Sequence, residues 1–171
     1  MARVVDEDEL IDRWTLVGDE LGEVAGKQGA TRLGSAILLK FLWRMLYESA
    51  SRAGAVLALN VEDLDLLNKQ ARVVVKGGDT MWITWGTDTA HLLPRLIAGR
   101  QAGPLFLSEY RSGPARKATT DPKDICPETG RARLGYDRAR ILLGHYGDGP
   151  RLHQLRHSAA THLGRPDTTL P

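Results

Sequence analysis

His153 and Arg156 stand three residues apart in R-L-H-Q-L-R-H-S-A-A-T-H-L, the stretch from Arg151 to Leu163. A helix beginning near this point would bring both side chains to one face. An imidazole and a guanidinium held together beside a small-residue helix suit an anionic group such as a phosphodiester. Two more cations stand out upstream. Arg52 lies in Y-E-S-A-S-R-A-G-A-V-L-A-L-N-V-E-D-L-D, between two helical runs, and Lys76 lies in V-V-V-K-G-G-D, at a turn between two β-rich runs. Each has an ordinary reading as well: an arginine often caps a helix C-terminus, and a lysine in a Lys-Gly-Gly turn is often only solvated. His153 and His157 also form an H-x-x-x-H pair that invites a zinc site, but Gln154 stands where a zinc hydrolase has its glutamate, and no third ligand is evident.

Elements must hold these residues in place. Asp6 to Leu21 reads as an acidic surface helix with a stripe of Leu10, Ile11, Trp14, Val17 and Leu21. Thr31 is the expected N-cap of a second helix reaching about Ser51. Its core face would be Leu33, Ile37, Leu38, Phe41, Leu42, Met45 and Leu46. A short helical run, A-G-A-V-L-A-L, comes next. N-V-E-D-L-D-L-L, A-R-V-V-V and M-W-I-T-W, separated by Asn- and Gly-bearing turns, predict a three-stranded antiparallel meander. Thr87 to Arg100 returns to helical spacing despite Pro94. Residues 109–132 carry no apolar period and read as a long mobile loop. Helices are expected again over Arg133–Tyr146 and Leu152–Leu163. The fold class is therefore α+β, mainly helical, with one small antiparallel sheet.

Composition narrows the function. Net charge is only +2 over 171 residues. Residues 1–30 hold eight acids against three bases, which leaves 20 bases and 13 acids in 31–171. A basic body fits a nucleic-acid partner. The arm of 1–30 is thus set apart from a domain over 31–171. No run approaches the roughly 18 apolar residues of a membrane span, and the N-terminus lacks the apolar stretch of a secretory signal. The single cysteine, Cys126, fits a reducing cytoplasm, and its D-I-C-P-E-T-G setting predicts a surface thiol.

The ordered set of an arginine, a lysine and H-x-x-R resembles the tyrosine recombinases, the phage integrase family. The Y-E-S-A-S-R segment is similar to the family's arginine box, K-G-G to its strand-turn lysine, and H-Q-L-R-H to its H-x-L-R-H. The G-P-L-F-L and T-G-R-A-R-L segments extend the likeness, which runs from about Leu33 to Leu163. The resemblance implies site-specific DNA recombination and integration, in which a tyrosine hydroxyl breaks a strand through a 3′-phosphotyrosyl link. Arg52 and Arg156 would bind the non-bridging oxygens, Lys76 would protonate the departing 5′ oxygen, and His153 would assist. Double-stranded DNA and other recombinase protomers are the implied partners, with no membrane, metal or nucleotide cofactor.

The pattern departs from the family at two points. Ala55 stands where an acidic residue usually follows the first arginine, and no tyrosine follows Arg156. Tyr47, Tyr110, Tyr136 and Tyr146 all precede it, and the L-G-H-Y at Leu143–Tyr146 falls on the wrong side of H-x-x-R to supply the nucleophile. The reading therefore expects an incomplete, cleavage-incompetent catalytic domain. Its alternative is a non-catalytic DNA-binding module that modulates an intact recombinase.

Overall fold

The computed structural model describes residues 29–74, 77–111 and 113–146. The fold is organised around α1 (Gly29–Ser49). Leu38, Leu39, Phe41, Leu42, Trp43, Met45 and Leu46 are all buried, so α1 is enclosed on more than one face, not along a single stripe. Leu39 and Trp43 fall outside the expected face because packing surrounds this helix. Thr31 lies within α1 and is not its N-cap.

On the side left polar, Arg44 pairs with Asp88 (Nη2 to Oδ2, 2.9 Å), and Glu48 Oε2 accepts the Gly86 N–H at 2.7 Å. These contacts fasten α1 to the start of α3 (Thr87–Ile97). Helix α3 passes through Pro94, as its periodicity predicts. Leu93 is buried and Leu92, Leu96 and Ile97 pack on the core, which holds the helix past its missing donor.

Between them come the short α2 (Ala53–Leu57) and the predicted meander: β1 (Leu64–Asp65), β2 (Gln70–Val74) and β3 (Thr80–Thr84). Both pairings are antiparallel, with Ala71 opposite Ile83 and Val74 opposite Thr80. Side chains alternate as a half-buried sheet requires. Ala71, Val73 and Ile83 enter the core, whereas Arg72, Val74, Trp82 and Thr84 face outward.

The stretch expected to be a mobile loop is ordered. It contains most of β4 (Leu107–Arg111), then α4 (Pro114–Thr119), a 3₁₀ turn (Pro122–Asp124) and the start of β5 (Arg131–Arg133). β4 and β5 pair antiparallel as a separate two-stranded sheet. Local signals do mark the pieces: Pro114 opens α4, and Asp121 Oδ1 accepts the Lys123 N–H at 3.1 Å to cap the turn. The pairing of β4 with β5 is long-range and leaves no apolar period to read.

Arg133 belongs to β5, and the last described helix, α5, begins only at Tyr136 and runs to Tyr146. Its Ala139, Leu142 and Leu143 are buried against the core. Cys126 is also buried, at 0% exposure, which corrects the expected surface thiol. Its backbone is clamped by Cys126 N–H to Arg131 O (2.8 Å) and Gly130 N–H to Cys126 O (2.9 Å). Gly103 makes room for this turn. A Cβ there would meet Pro127 Cδ at 2.8 Å, on a backbone with φ of +91°. Among the described residues no helix is long and apolar enough to cross a membrane.

Candidate nucleic-acid site

Arg52 is reached by a short, well-determined connection from α1. Ser49 Oγ donates to Met45 O at 2.6 Å and accepts the Ser51 N–H at 3.2 Å, and Ala50 turns the chain at φ of +50°. Arg52 then takes an extended conformation (φ −68°, ψ 138°) as the N-cap of α2. Its carbonyl accepts the N–H groups of Ala55 (2.9 Å) and Val56 (3.2 Å). Arg52 therefore starts a helix and does not cap the end of one.

The side chain contributes nothing to that cap. A guanidinium has no acceptor to offer an N–H group, so arginine is a poor choice for this position. Arg52 is exposed, and among the described residues its guanidinium makes no hydrogen bond or ion pair. Among the described residues this cation has no partner. Ala55, where the sequence resemblance leads to the expectation of an acid, packs half-buried against the core.

The far end of α2 is held by a second arginine that the sequence reading did not single out. Arg133 reaches back from β5 with its whole guanidinium. Nη1 donates to Leu57 O (3.1 Å) and Leu59 O (3.0 Å), and Nη2 donates to Asn60 Oδ1 (2.6 Å). Nε pairs with Asp124 Oδ1 at 2.7 Å. Its neighbours Val56, Leu57 and Leu59 are buried, so the helix that begins at Arg52 is pinned by packing and by this fork together. The one available signal was the resemblance of T-G-R-A-R-L to the family.

Arg100 plays a similar part at the end of α3. It is 6% exposed and donates to four carbonyls: Ile97 (2.9 Å), Leu96 (3.0 Å), Leu105 (2.9 Å) and Pro104 (2.5 Å). Burial pushes the Cys126 thiol up. Hydrogen bonds from the Thr129 hydroxyl, the Thr129 and Glu128 N–H groups and the Arg100 side chain outweigh it, so the thiol lies below its ordinary value of 9.0.

Lys76, His153 and Arg156 lie outside the described residues, as do the acidic arm and the expected final helix. For Lys76 the flanks are known: β2 ends at Val74, β3 starts opposite it at Thr80, and Gly77 and Gly78 take φ of +113° and +87°. That conformation is open to glycine and is what the K-G-G segment predicts. The His153/His157 zinc reading also falls outside the described residues, among which no cluster of three metal-ligating side chains occurs.

Residues 30–169 match the phage integrase family. The tyrosine recombinase XerC of Mycobacterium sp. (strain KMS) is 30% identical over 125 residues, covering 72% of this chain and 39% of the relative. The XerC of Mycobacterium leprae (strain TN) is 30% identical over 142 residues, covering 81% and 45%. The chain thus spans less than half the length of these curated relatives. In three dimensions the fold is similar to the Tn1549 transposon integrase, solved in complex with circular intermediate DNA. The TM-score is 0.53 at 12% identity, over 99% of this chain and 54% of that one.

Proposed function

The chain belongs to the phage integrase family, and from that premise we propose that it carries the phosphate-gripping part of a DNA breaking-and-rejoining domain. Arg52, Lys76, His153 and Arg156 all fall within the matched residues 30–169, in the order that the sequence resemblance implies. The observation that carries the reading is Arg52 itself, an exposed guanidinium at a helix start with no partner among the described residues.

The chemistry of strand exchange asks for these groups. A tyrosine oxygen, losing its proton, bonds to phosphorus as the bond from phosphorus to the 5′ oxygen breaks. Negative charge grows on the two non-bridging oxygens in between. Arg52 and Arg156 would meet those oxygens with planar paired donors. Lys76 would give the departing 5′ oxygen its proton, and His153 would assist proton transfer or hold a phosphate oxygen. The phosphotyrosine keeps the bond energy, so the step calls for no nucleotide or metal.

Within these 171 residues no tyrosine follows Arg156. These 171 residues, tested by themselves, are expected to hold DNA without forming the covalent link. The second reading is a non-catalytic DNA-binding module that modulates an intact recombinase. A nicked suicide duplex, resolved on a denaturing gel, separates the possibilities. The expected result is no covalent protein–DNA adduct, with reversible binding under native conditions. An adduct that disappears in Tyr146→Phe would contradict it and make Tyr146 the nucleophile.

A further inference from the structure

A like-charged pair faces outward from the β4–β5 ladder. Arg111 and Arg131 are direct Cα partners across the two antiparallel strands, so their side chains leave the same side of the ladder. Such partners stand about 5 Å apart, and like charges placed opposite one another destabilise a sheet. Both are exposed. A third cation joins them: the Lys117 ammonium lies 3.4 Å from where a Cβ on Gly130 would sit, beside Arg131. Gly130 has φ of +67° and no side chain, so the lysine lies over bare backbone next to the pair.

The neighbouring acids are committed elsewhere. Glu109 pairs with Arg138 (2.6 Å), Asp121 with Lys123 (3.0 Å) and Asp124 with Arg133 (2.7 Å). Glu128 Oε1 accepts the Gln101 N–H at 2.8 Å. Glu109 and Glu128 do line a cleft of about 510 Å³ that Arg131 also lines, yet neither forms an ion pair with it. Among the described residues the side chains of Arg111, Lys117 and Arg131 have no hydrogen-bonding or ion-pairing partner. Three adjacent cations that the fold neither pairs nor buries are a cost to the free protein.

We propose that Arg111, Lys117 and Arg131 form a second phosphate-binding face, which takes the backbone of the same duplex that Arg52 contacts. The proposal rests on the DNA reading above and adds a contact surface to it. The spacing is compatible. Arg133, two residues along β5 from Arg131, is hydrogen-bonded to the end of α2, and Arg52 stands at that helix's start. Two strand residues, the extended Arg133 side chain with its hydrogen bond, and five helical residues make a connected path of roughly 25 Å. That is shorter than the roughly 34 Å helical turn of B-DNA, so a single duplex is long enough to span both places.

The test compares the full chain with the triple variant Arg111→Gln/Lys117→Gln/Arg131→Gln. Binding to a fluorescent duplex of about thirty base pairs is followed across a salt series, and thermal unfolding is measured without DNA. The expected result is an affinity lower by about 10- to 100-fold and a salt slope shallower by about 2–3, one step per lost phosphate contact. The unfolding midpoint should hold or rise, because the like-charge contact is gone. Unchanged affinity and slope in a wild type that does bind would overturn this surface alone. A wild type with no salt-dependent duplex binding would overturn the DNA reading and this surface with it. A clear fall in the midpoint would assign the three cations to the fold and refute the proposal, as would a slope loss seen with polyglutamate but not with duplex.

Discussion

Arg100→Leu is expected to lower the free energy of unfolding by about 3–5 kcal/mol, the largest stability effect of any arginine in the described structure. Arg100 is 6% exposed and holds four carbonyls at 2.5–3.0 Å, two of them from the last turn of α3. A leucine can fill the space but cannot satisfy the acceptors. Each buried carbonyl left unpaired costs about 1–3 kcal/mol before relaxation or water entry recovers part of it. The cation also sits where a helix C-terminus favours positive charge. An apolar isostere often replaces a buried ion pair at little cost, because both partners leave together. Here the partners are backbone atoms that no substitution removes. Urea unfolding checks the value, and a loss below about 1 kcal/mol would show that the fork is dispensable.

Arg133→Ala is expected to cost about 2–4 kcal/mol and to weaken DNA binding through Arg52 as well. The substitution releases Leu57 O, Leu59 O and Asn60 Oδ1, and it leaves Asp124 without its partner. Those acceptors lie more than seventy residues away in sequence, so the fork ties β5 to α2 across the fold. With the far end of α2 held by packing alone, the orientation of Arg52 at its near end becomes more variable. Arg133→Lys keeps the charge but offers no planar fork to the same acceptors, and should recover less than half of either loss. Stability and duplex affinity measured on both variants decide the matter. Lost stability with full affinity in the folded protein would sever the link between Arg133 and Arg52.

The parts of this fold that repeat locally were legible in the sequence, and the parts built by distant convergence were not. The meander from Leu64 to Thr84 showed itself by alternation and by Asn- and Gly-bearing turns, and the buried face of α1 by helical spacing. The β4–β5 pair did not, because its strands are joined by a stretch rich in Pro, Gly, Thr and charge with no apolar period. Cys126 looked exposed for the same reason. Its burial comes from a turn closed against Arg131 and Gly103, which no local pattern announces.

The arginines divide in the same way. Arg52 was legible through its resemblance to a family motif, and the structure adds that its exposed side chain has no partner among the described residues. Arg100 and Arg133 drew no separate notice in the sequence, where arginine gives no sign of burial because it is mostly exposed. Arg133 is held by acceptors brought in from a distant segment, whereas Arg100 is held by nearby carbonyls that converge only because the chain turns back after α3. Lys76, His153 and Arg156, the rest of the proposed site, fall outside the described residues.

The central claim is that Arg52 is a phosphate ligand, and duplex affinity across a salt series tests it most directly. Wild type, Arg52→Ala and Arg52→Lys would be compared, with thermal unfolding alongside. The account predicts that alanine weakens binding by about 10- to 100-fold, the value of a charge-assisted hydrogen-bond set worth about 1.5–3 kcal/mol. Lysine should restore only part, since it lacks the paired planar donors, and all three midpoints should agree because the side chain is exposed and unpaired. Equal affinity and equal salt slope for wild type and Arg52→Ala would contradict the account.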